Sequence, residues 1–217
     1  MSQILYDAIP SFDLNDFMKG DLDARKKFAA AIGEAYNNIG FIAVKNHGFA
    51  DELQENLYQT SKKFFALPQE VKQKYDGAKT HGQRGYTGKM KEHAAGRKVG
   101  DLKEFYHFGR EISGSTSTHY QANIIPDEAK EFGEYGVQSY QQLEKVGRTI
   151  LKALALYLEQ EENYFEESVG DIKYFVSEFN TQGYFQATFQ FLQHSYFFCS
   201  HNLLPGRAGF FLHRNNV

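Results

Sequence analysis

The stretch of sequence that decides the fold is Asp101-Leu102-Lys103-Glu104-Phe105-Tyr106-His107-Phe108-Gly109-Arg110-Glu111. Its centre is rich in aromatic side chains, which favour strands because they fit a pleated, half-buried surface. The stretch therefore predicts a strand from Lys103 to Gly109. Segments with helical patterns lie on both sides of it, so we expect the chain to mix helices and strands.

The segments before this strand predict an alternation of strands and helices. Each predicted helix begins at an aspartate that can cap it or at a proline that suits its first turn. Apolar side chains then recur along the longer helices at helical spacing. The predicted elements are a strand at Ile9–Leu14, a helix from Asp21 to Asn38, a strand at Phe41–Val44, a helix capped by Asp51 and a short helix from Pro68 through Tyr75. Residues 77–100 hold six glycines and predict an irregular basic loop.

A long helix is predicted after the strand, from about Asp127 to Gln160. Apolar residues recur in it at helical spacing and predict one buried face. They are Val137, Tyr140, Leu143, Val146, Ile150, Leu154 and Leu158.

Several short motifs occur in the order and at the approximate spacing found in one enzyme family. They are Ile9-Pro10, Gly40 to Gly48, Phe64 to Pro68, Lys72 to Tyr75, Arg84 to Tyr86 and Asp101 to Glu111. With them, residues 9–165 resemble the N-terminal region and long connecting helix of the isopenicillin N synthase-like Fe(II)/2-oxoglutarate dioxygenases. The resemblance implies an α+β fold: the helix-rich N-terminal region of a double-stranded β-helix, or jelly-roll, dioxygenase, with its barrel core incomplete here.

The resemblance also implies an activity and its cofactors. The family oxidises a small organic substrate with oxygen, Fe(II) and 2-oxoglutarate. Two histidines and one carboxylate hold the iron and leave positions open for 2-oxoglutarate and oxygen. In the family the first two ligands are written His-x-Asp, which reach one metal because residues i and i+2 of a strand share a face. An Arg-x-Ser pair binds the far carboxylate of 2-oxoglutarate.

None of the eight histidines of this chain begins a His-x-Asp motif. Two residues after His47, His81, His93, His107, His119, His194, His201 and His213 stand Phe49, Gln83, Ala95, Gly109, Gln121, Tyr196, Leu203 and Asn215. No arginine is followed two residues later by serine. We therefore expect this chain to contain no catalytic residue, metal ligand or 2-oxoglutarate-binding residue, and to bind neither Fe(II) nor 2-oxoglutarate.

Two other histidine arrangements are open to a metal interpretation. Glu104 and His107 are three residues apart, so a strand would direct them to opposite faces. The favoured interpretation is that His107 is a strand histidine and Glu104 an ordinary polar neighbour, not a second metal ligand. His47 lies in an Asn-His-Gly turn, where we expect Gly48 to serve the backbone geometry and His47 to form surface hydrogen bonds.

Arg84 and Tyr86 are the candidate substrate-binding residues. In the family the strand that contains them approaches the mouth of the active site, and an arginine there can face the substrate. The alternative, which the sequence alone favours, is a solvated arginine beside a packed tyrosine. The surrounding basic loop could also suggest nucleic acid. Glu92 and Asp101 interrupt it and no stacking aromatics accompany it, so we expect a mobile, solvated loop.

The bulk properties narrow the class of protein further. The formal net charge of −3 over 217 residues gives no general attraction to nucleic acid or to an anionic membrane, and no apolar run is long enough to span a bilayer. The single cysteine, Cys199, fits a reducing compartment, and the N-terminus shows no secretory signal. We expect a cytoplasmic protein that binds neither nucleic acid nor membrane, with any protein partner left open.

The composition changes near Gly170. Residues 1–170 hold 46 of the 51 charged side chains, whereas residues 171–217 hold five, with nine of the 20 phenylalanines. A folded surface normally carries more charge than that. We therefore interpret residues 1–170 as a dioxygenase N-terminal region with its long connecting helix, and residues 171–217 as an atypical tail that lacks fixed packing.

A shifted reading frame is one origin for such a tail. One permitted choice of codons for Glu178–Phe185, selected for this comparison, encodes Asn-Ser-Ile-Leu-Arg-Ala-Ile when it is read one base later. In the family a strand containing Asn-Ser and then Leu-Arg follows the long helix. We therefore expect a truncated oxidoreductase that is inactive by itself. The alternative is a non-catalytic binding or interaction protein that has kept the N-terminal fold.

Overall fold

The computed structural model describes residues 10–39, 41–80, 82–91, 100, 102–111 and 122–166, together with the backbone of four later strands. Its elements are β1 (Ser11–Asp13), α1 (Leu14–Met18), α2 (Leu22–Ile39), β2 (Phe41–Lys45), α3 (Asp51–Phe65), α4 (Gln69–Gln73), β3 (Gly85–Thr87), β4 (Phe105–Gly109), α5 (Lys130–Tyr157), β5 (Tyr174–Asn180), β6 (Tyr184–Phe191), β7 (Ser195–Asn202) and β8 (Phe210–Arg214). Short 3₁₀ turns precede β3 and α5. Among the described helices, none is both long and apolar enough to cross a membrane.

The helix boundaries follow the local chemistry with two corrections. The carboxylate of Asp21 accepts a hydrogen bond from the Ala24 amide at 2.9 Å, which confirms it as the cap of α2. Asp51 does not cap α3, because it is the first helical residue and Ala50 precedes it without a side-chain hydrogen bond. Its charge instead favours the helix as an acidic group in the first turn. Pro68 stands just before α4, which ends at Gln73 rather than reaching Tyr75.

The core lies between α5, the helices α2 and α3, and the sheet. Leu143, Val146 and Ile150 are buried as their spacing predicts, whereas Leu158 is 52% exposed because α5 ends one residue before it. Rings from α3, β4 and α5 meet at the centre: Phe64 stacks on Phe132 with 5.1 Å between the ring centroids. Packing of these aromatic rings fixes the face of β4 that lies against α5.

One sheet contains the described strands, in the order β1-β2-β8-β7-β6-β5-β4-β3. β1 and β2 are parallel. β3 and β4 are antiparallel, with Gly85 opposite His107 and Tyr86 opposite Tyr106. The prediction of an irregular loop over residues 77–100 is therefore wrong at β3, a strand in which Tyr86 pairs with Tyr106 of β4. Arg84 directly precedes this strand, so β3 and β4 position both candidate substrate-binding residues.

The tail takes part in the sheet through its backbone. β5 pairs with β4, placing Asn180 opposite Phe105, and β8 pairs with β2, placing Phe210 opposite Val44. The expectation of a tail without fixed packing concerns its side chains, which lie outside the described part of the chain, and stays a prediction. The aromatic, sparsely charged segments have a strong tendency to form strands, and here the edges of β4 and β2 provide partners within the same chain.

Candidate functional site

A buried ion pair joins the short helix α4 to the residue before β4. Lys72 Nζ lies 2.7 Å from Glu104 Oε2, and only 5% of Lys72 and 4% of Glu104 are exposed. The ammonium group of Lys72 also donates to the Phe65 carbonyl oxygen at 3.1 Å. Both charges are therefore paired and hydrogen-bonded, as buried charges must be to persist in a protein interior.

The hydroxyl of Tyr86 completes this network. It donates to Glu104 Oε2 at 2.5 Å, and the side-chain amide of Gln69 donates to it at 3.1 Å. Burial, followed by the hydrogen bond to Glu104, raises the pKa of Tyr86 well above its ordinary value, so the phenol stays protonated and acts as a donor. The structure thus confirms a packed tyrosine and shows its polar atom engaged inside the protein.

Arg84 is buried as well, which excludes the solvated interpretation of this residue. It is 5% exposed, and its Nη1 donates to the Gln83 carbonyl oxygen at 2.6 Å. Its Nε has no hydrogen-bond partner. Burial lowers the pKa of Arg84, although an arginine remains charged at any physiological pH.

A glycine makes room for this guanidinium. A β-carbon placed on Gly109, the last residue of β4, would overlap the Cζ atom and both terminal nitrogens of Arg84. Tyr86 packs on Phe64 with 6.0 Å between centroids, whereas Arg84 lies before β3 and next to Gly85, whose φ is 85°.

A cleft of about 420 Å³ opens beside Gly109, between the end of β4 and α5. Its lining residues are Gly109, Arg110, Glu111, Val137, Tyr140, Gln141, Glu144, Lys145 and Arg148. Glu144 forms ion pairs with both Arg110 and Arg148. Burial raises the pKa of Tyr140, and nearby arginines, Arg84 among them, oppose that shift.

The described residues do not form an iron site. They contain no group of three histidine, cysteine, aspartate or glutamate side chains that could hold a metal ion. His107 Nδ1 lies 2.5 Å from the Gly82 carbonyl oxygen, whereas Glu104 is bound to Lys72, so this pair is not brought together. His47 Nδ1 accepts from the Phe49 amide at 3.1 Å, and Gly48 has a φ of 77°. That turn has the structural roles predicted for it.

Sequence reasoning missed Lys72, Glu104, Gly109 and Tyr140 as residues that shape this region. A signal for the ion pair was present, because Glu104 directly precedes an aromatic strand and Lys72 follows the apolar end of α3. No sequence pattern predicts that the two side chains meet, since they are 32 residues apart. No sequence pattern indicates that Gly109 makes room for the Arg84 guanidinium, because that role depends on where the side chain of Arg84 lies in the folded chain.

Comparison with known proteins gives the family. The model of the family described as non-haem dioxygenase in morphine synthesis, N-terminal, matches residues 9–128, more than half of the chain. A 1-aminocyclopropane-1-carboxylate oxidase from Dictyostelium mucoroides is 29% identical over 175 residues, which cover 75% of this chain and 46% of that protein. The chain thus spans about half the length of this relative.

Solved structures agree with the sequence comparison. A protein of the 2OG-Fe(II) oxygenase family from Caulobacter crescentus has a TM-score of 0.70 at 29% identity, over 83% of this chain and 56% of that one. A full-length protein from Neurospora crassa, solved in complex with alpha-KG, has a TM-score of 0.72 at 20% identity, over 99% of this chain and 75% of that one. The second likeness concerns the fold alone. With the family match, these findings confirm that the chain belongs to the 2-oxoglutarate/Fe(II) dioxygenases and matches their N-terminal region.

Proposed function

We propose that this chain is a truncated form of a 2-oxoglutarate/Fe(II) oxygenase that oxidises a small organic substrate, and that by itself it does not turn over 2-oxoglutarate. One observation carries the proposal: the family model matches residues 9–128, yet none of the eight histidines is followed two residues later by a carboxylate. The iron of this class needs two histidines and a carboxylate around open positions. That donor set has no counterpart here, so no reaction step is assigned to this chain's residues.

Arg84 and Tyr86 are proposed as its substrate-side residues. Arg84 brings to the start of β3 a buried positive charge whose Nε has no hydrogen-bond partner among the described residues. The hydroxyl of Tyr86 is already bound to Glu104, so Tyr86 acts by holding β3 in place next to Arg84. The proposal therefore assigns the charged contact to Arg84 and positioning to Tyr86.

The proposal that this chain does not turn over 2-oxoglutarate is tested by two measurements on the purified chain. Ferrous iron is titrated under anaerobic conditions, and succinate formation from 2-oxoglutarate is then followed in air. We expect no stoichiometric iron binding and no succinate above the protein-free control. Tight binding of one iron per chain together with turnover of 2-oxoglutarate would contradict the proposal.

The second part concerns the origin of residues 171–217. We propose that the barrel core is incomplete and that a shifted frame encodes the residues after about Gly170, since only five charged residues occur in this segment. Sequencing the gene past codon 217 tests this. A continuation in another frame into His-x-Asp, a distal histidine and Arg-x-Ser supports a broken enzyme gene. Unrelated sequence there favours instead a non-catalytic interaction protein that kept the N-terminal fold.

If the gene restores a full-length enzyme, Arg84→Ala in that enzyme should weaken substrate binding more than 2-oxoglutarate binding. The loss of one charged hydrogen bond is worth about 1.5–3 kcal/mol. Steady-state kinetics with each ligand varied in turn measures the two effects, with Lys89→Ala on the exposed loop as the matched loss of a positive charge. Unchanged kinetics for both ligands would remove Arg84 from the substrate side.

A further inference from the structure

We propose that Arg84, together with the cleft beside Gly109, binds a small oxyanion, that is, a carboxylate or phosphate group. This inference rests on the assignment of Arg84 to the substrate side in the proposed function and names the chemistry of the group that Arg84 takes. It does not depend on iron or on turnover of 2-oxoglutarate.

The first argument is an uncompensated buried charge. Among the described residues no carboxylate forms an ion pair with Arg84, and its guanidinium has one hydrogen bond, from Nη1 to the Gln83 carbonyl oxygen at 2.6 Å. Its Nε is buried without any partner. A lone buried charge is strongly unfavourable unless something neutralises it. An anion bound in the neighbouring cleft would supply negative charge close to it.

The second argument is access. Gly109 lines the cleft, and a β-carbon there would overlap the guanidinium of Arg84. Arg84 is not itself one of the lining residues, but its guanidinium lies against the one lining residue that has no side chain. A ligand in the cleft would meet the field of Arg84 without passing through the packed core.

The third argument is the charge of the cleft itself. Three cationic side chains line it, Arg110, Lys145 and Arg148, against two acidic ones, Glu111 and Glu144. Glu144 forms ion pairs with both arginines, Arg148 also pairs with Glu166, and Glu111 acts electrostatically on Arg84. With Arg84 included, four cations stand against these three carboxylates, which leaves one net positive charge at the cleft. The planar guanidinium fork matches the geometry of carboxylates and phosphates, and the volume of about 420 Å³ suits a small molecule.

The test uses the whole chain and three probes at constant ionic strength: inorganic phosphate, malonate and malonamide, the uncharged analogue of malonate. Isothermal titration calorimetry measures binding. We expect saturable binding of phosphate, malonate or both, and the stronger of the two tells which oxyanion the site prefers. Malonamide should not bind. Absence of saturable binding for both anions, or equal binding of malonate and malonamide, would overturn the inference.

Two variants and a control assign the binding to this cleft. Arg84→Gln should weaken anion binding at least about tenfold, as expected for the loss of a charged contact, whereas Lys89→Gln, at an exposed cation outside the cleft, should bind as the unchanged chain does. Unchanged binding by folded Arg84→Gln overturns the inference.

Glu144→Gln provides a test that does not require Arg84 to be altered. It removes the carboxylate that competes for Arg110 and Arg148, so anion binding should become severalfold tighter. Unchanged or weaker binding in this variant overturns the inference. Because these measurements involve neither iron nor 2-oxoglutarate, their failure is distinct from a failure of the proposed function, which the iron titration and succinate assay decide.

Discussion

Two buried cations of this chain, Lys72 and Arg84, have opposite surroundings. Lys72 and Arg84 are each 5% exposed. Lys72 lies 2.7 Å from Glu104 and donates to a carbonyl oxygen as well. Arg84 has one carbonyl acceptor, and its Nε has none. Since a buried charge needs compensation, the contrast separates a cation whose charge is balanced within the fold from one that we propose is balanced by a bound anion.

The two sites also differ in how they open to solvent. The network of Lys72, Glu104, Tyr86 and Gln69 joins α4, β3 and the residue before β4, and its polar atoms form hydrogen bonds with one another. Arg84 sits behind Gly109 at the other end of β4, next to a cleft. The strand β4 therefore begins beside a closed polar network and ends beside the cleft in which we propose that an anion binds.

Breaking the closed network should give the largest effect. Glu104→Gln keeps the shape of the side chain but leaves Lys72 buried without a counterion. Removing one partner of a buried pair typically costs about 3–5 kcal/mol, so we expect the free energy of unfolding to fall by about that much. Chemical denaturation monitored by circular dichroism measures it.

The control for this prediction is Glu134→Gln, which alters an exposed carboxylate of α5. Surface substitutions of this kind usually change stability by no more than about 0.5 kcal/mol. If Glu104→Gln lowered the free energy of unfolding no more than the control does, the Lys72–Glu104 pair would contribute little to stability. Lys72 could then no longer be distinguished from Arg84 as a cation that stabilises the fold.

The sequence predicted the local part of this arrangement. The cap at Asp21 and the strand ending at Gly109 follow from short-range chemistry and are found in the structure. The helical spacing of Leu143, Val146 and Ile150 identified the buried face of α5, but it also included Leu158, which lies just past the end of the helix. Periodicity predicts a face well and a boundary poorly.

The site required information that spacing does not carry. Arg84 was expected in solvent because arginines usually are, and its burial depends on a glycine 25 positions later in the chain. The Lys72–Glu104 contact depends likewise on how α4 packs beside β4. Such pairings arise from the three-dimensional path of the chain, which local patterns cannot specify. The absence of a His-x-Asp motif, in contrast, could be determined from the sequence alone, because the motif is defined by residue types two positions apart.

The second prediction tests the other cation. Arg84→Met removes a charge that forms no ion pair with a carboxylate among the described residues. The relief of that buried charge opposes the loss of one charged hydrogen bond, worth about 1.5–3 kcal/mol, so the free energy of unfolding should change by less than that range. Lys72→Met, which strands Glu104, should again cost about 3–5 kcal/mol. The same denaturation experiment compares the two variants. Equal losses would mean that Arg84 serves the fold in the way that Lys72 does.

A third cation, Lys74, extends the comparison to the surface and gives the smallest effect. Lys74 Nζ lies 2.8 Å from Glu128 Oε1, and the hydroxyl of Tyr75 donates to the other oxygen of that carboxylate. The hydrogen bond from Lys74, followed by that from Tyr75, lowers the pKa of Glu128 from 4.5 to about 2. The contact joins the chain after α4 to the turn that leads into α5.

Because the pKa of Glu128 is lower in the folded chain than in the unfolded chain, its stabilising contribution is present above pH 4.5 and is lost as the pH falls towards 2. We expect NMR titration of the Glu128 carboxyl to show a higher pKa in Lys74→Gln and in Tyr75→Phe than in the unchanged chain. In Glu128→Gln the free energy of unfolding should depend less steeply on pH within that window. Salt should weaken the effect, since the pair is exposed to solvent, whereas the cost of Glu104→Gln should be nearly independent of salt. A Glu128 pKa that stays the same in Lys74→Gln would show that Tyr75 and the backbone alone hold the carboxylate in its charged form.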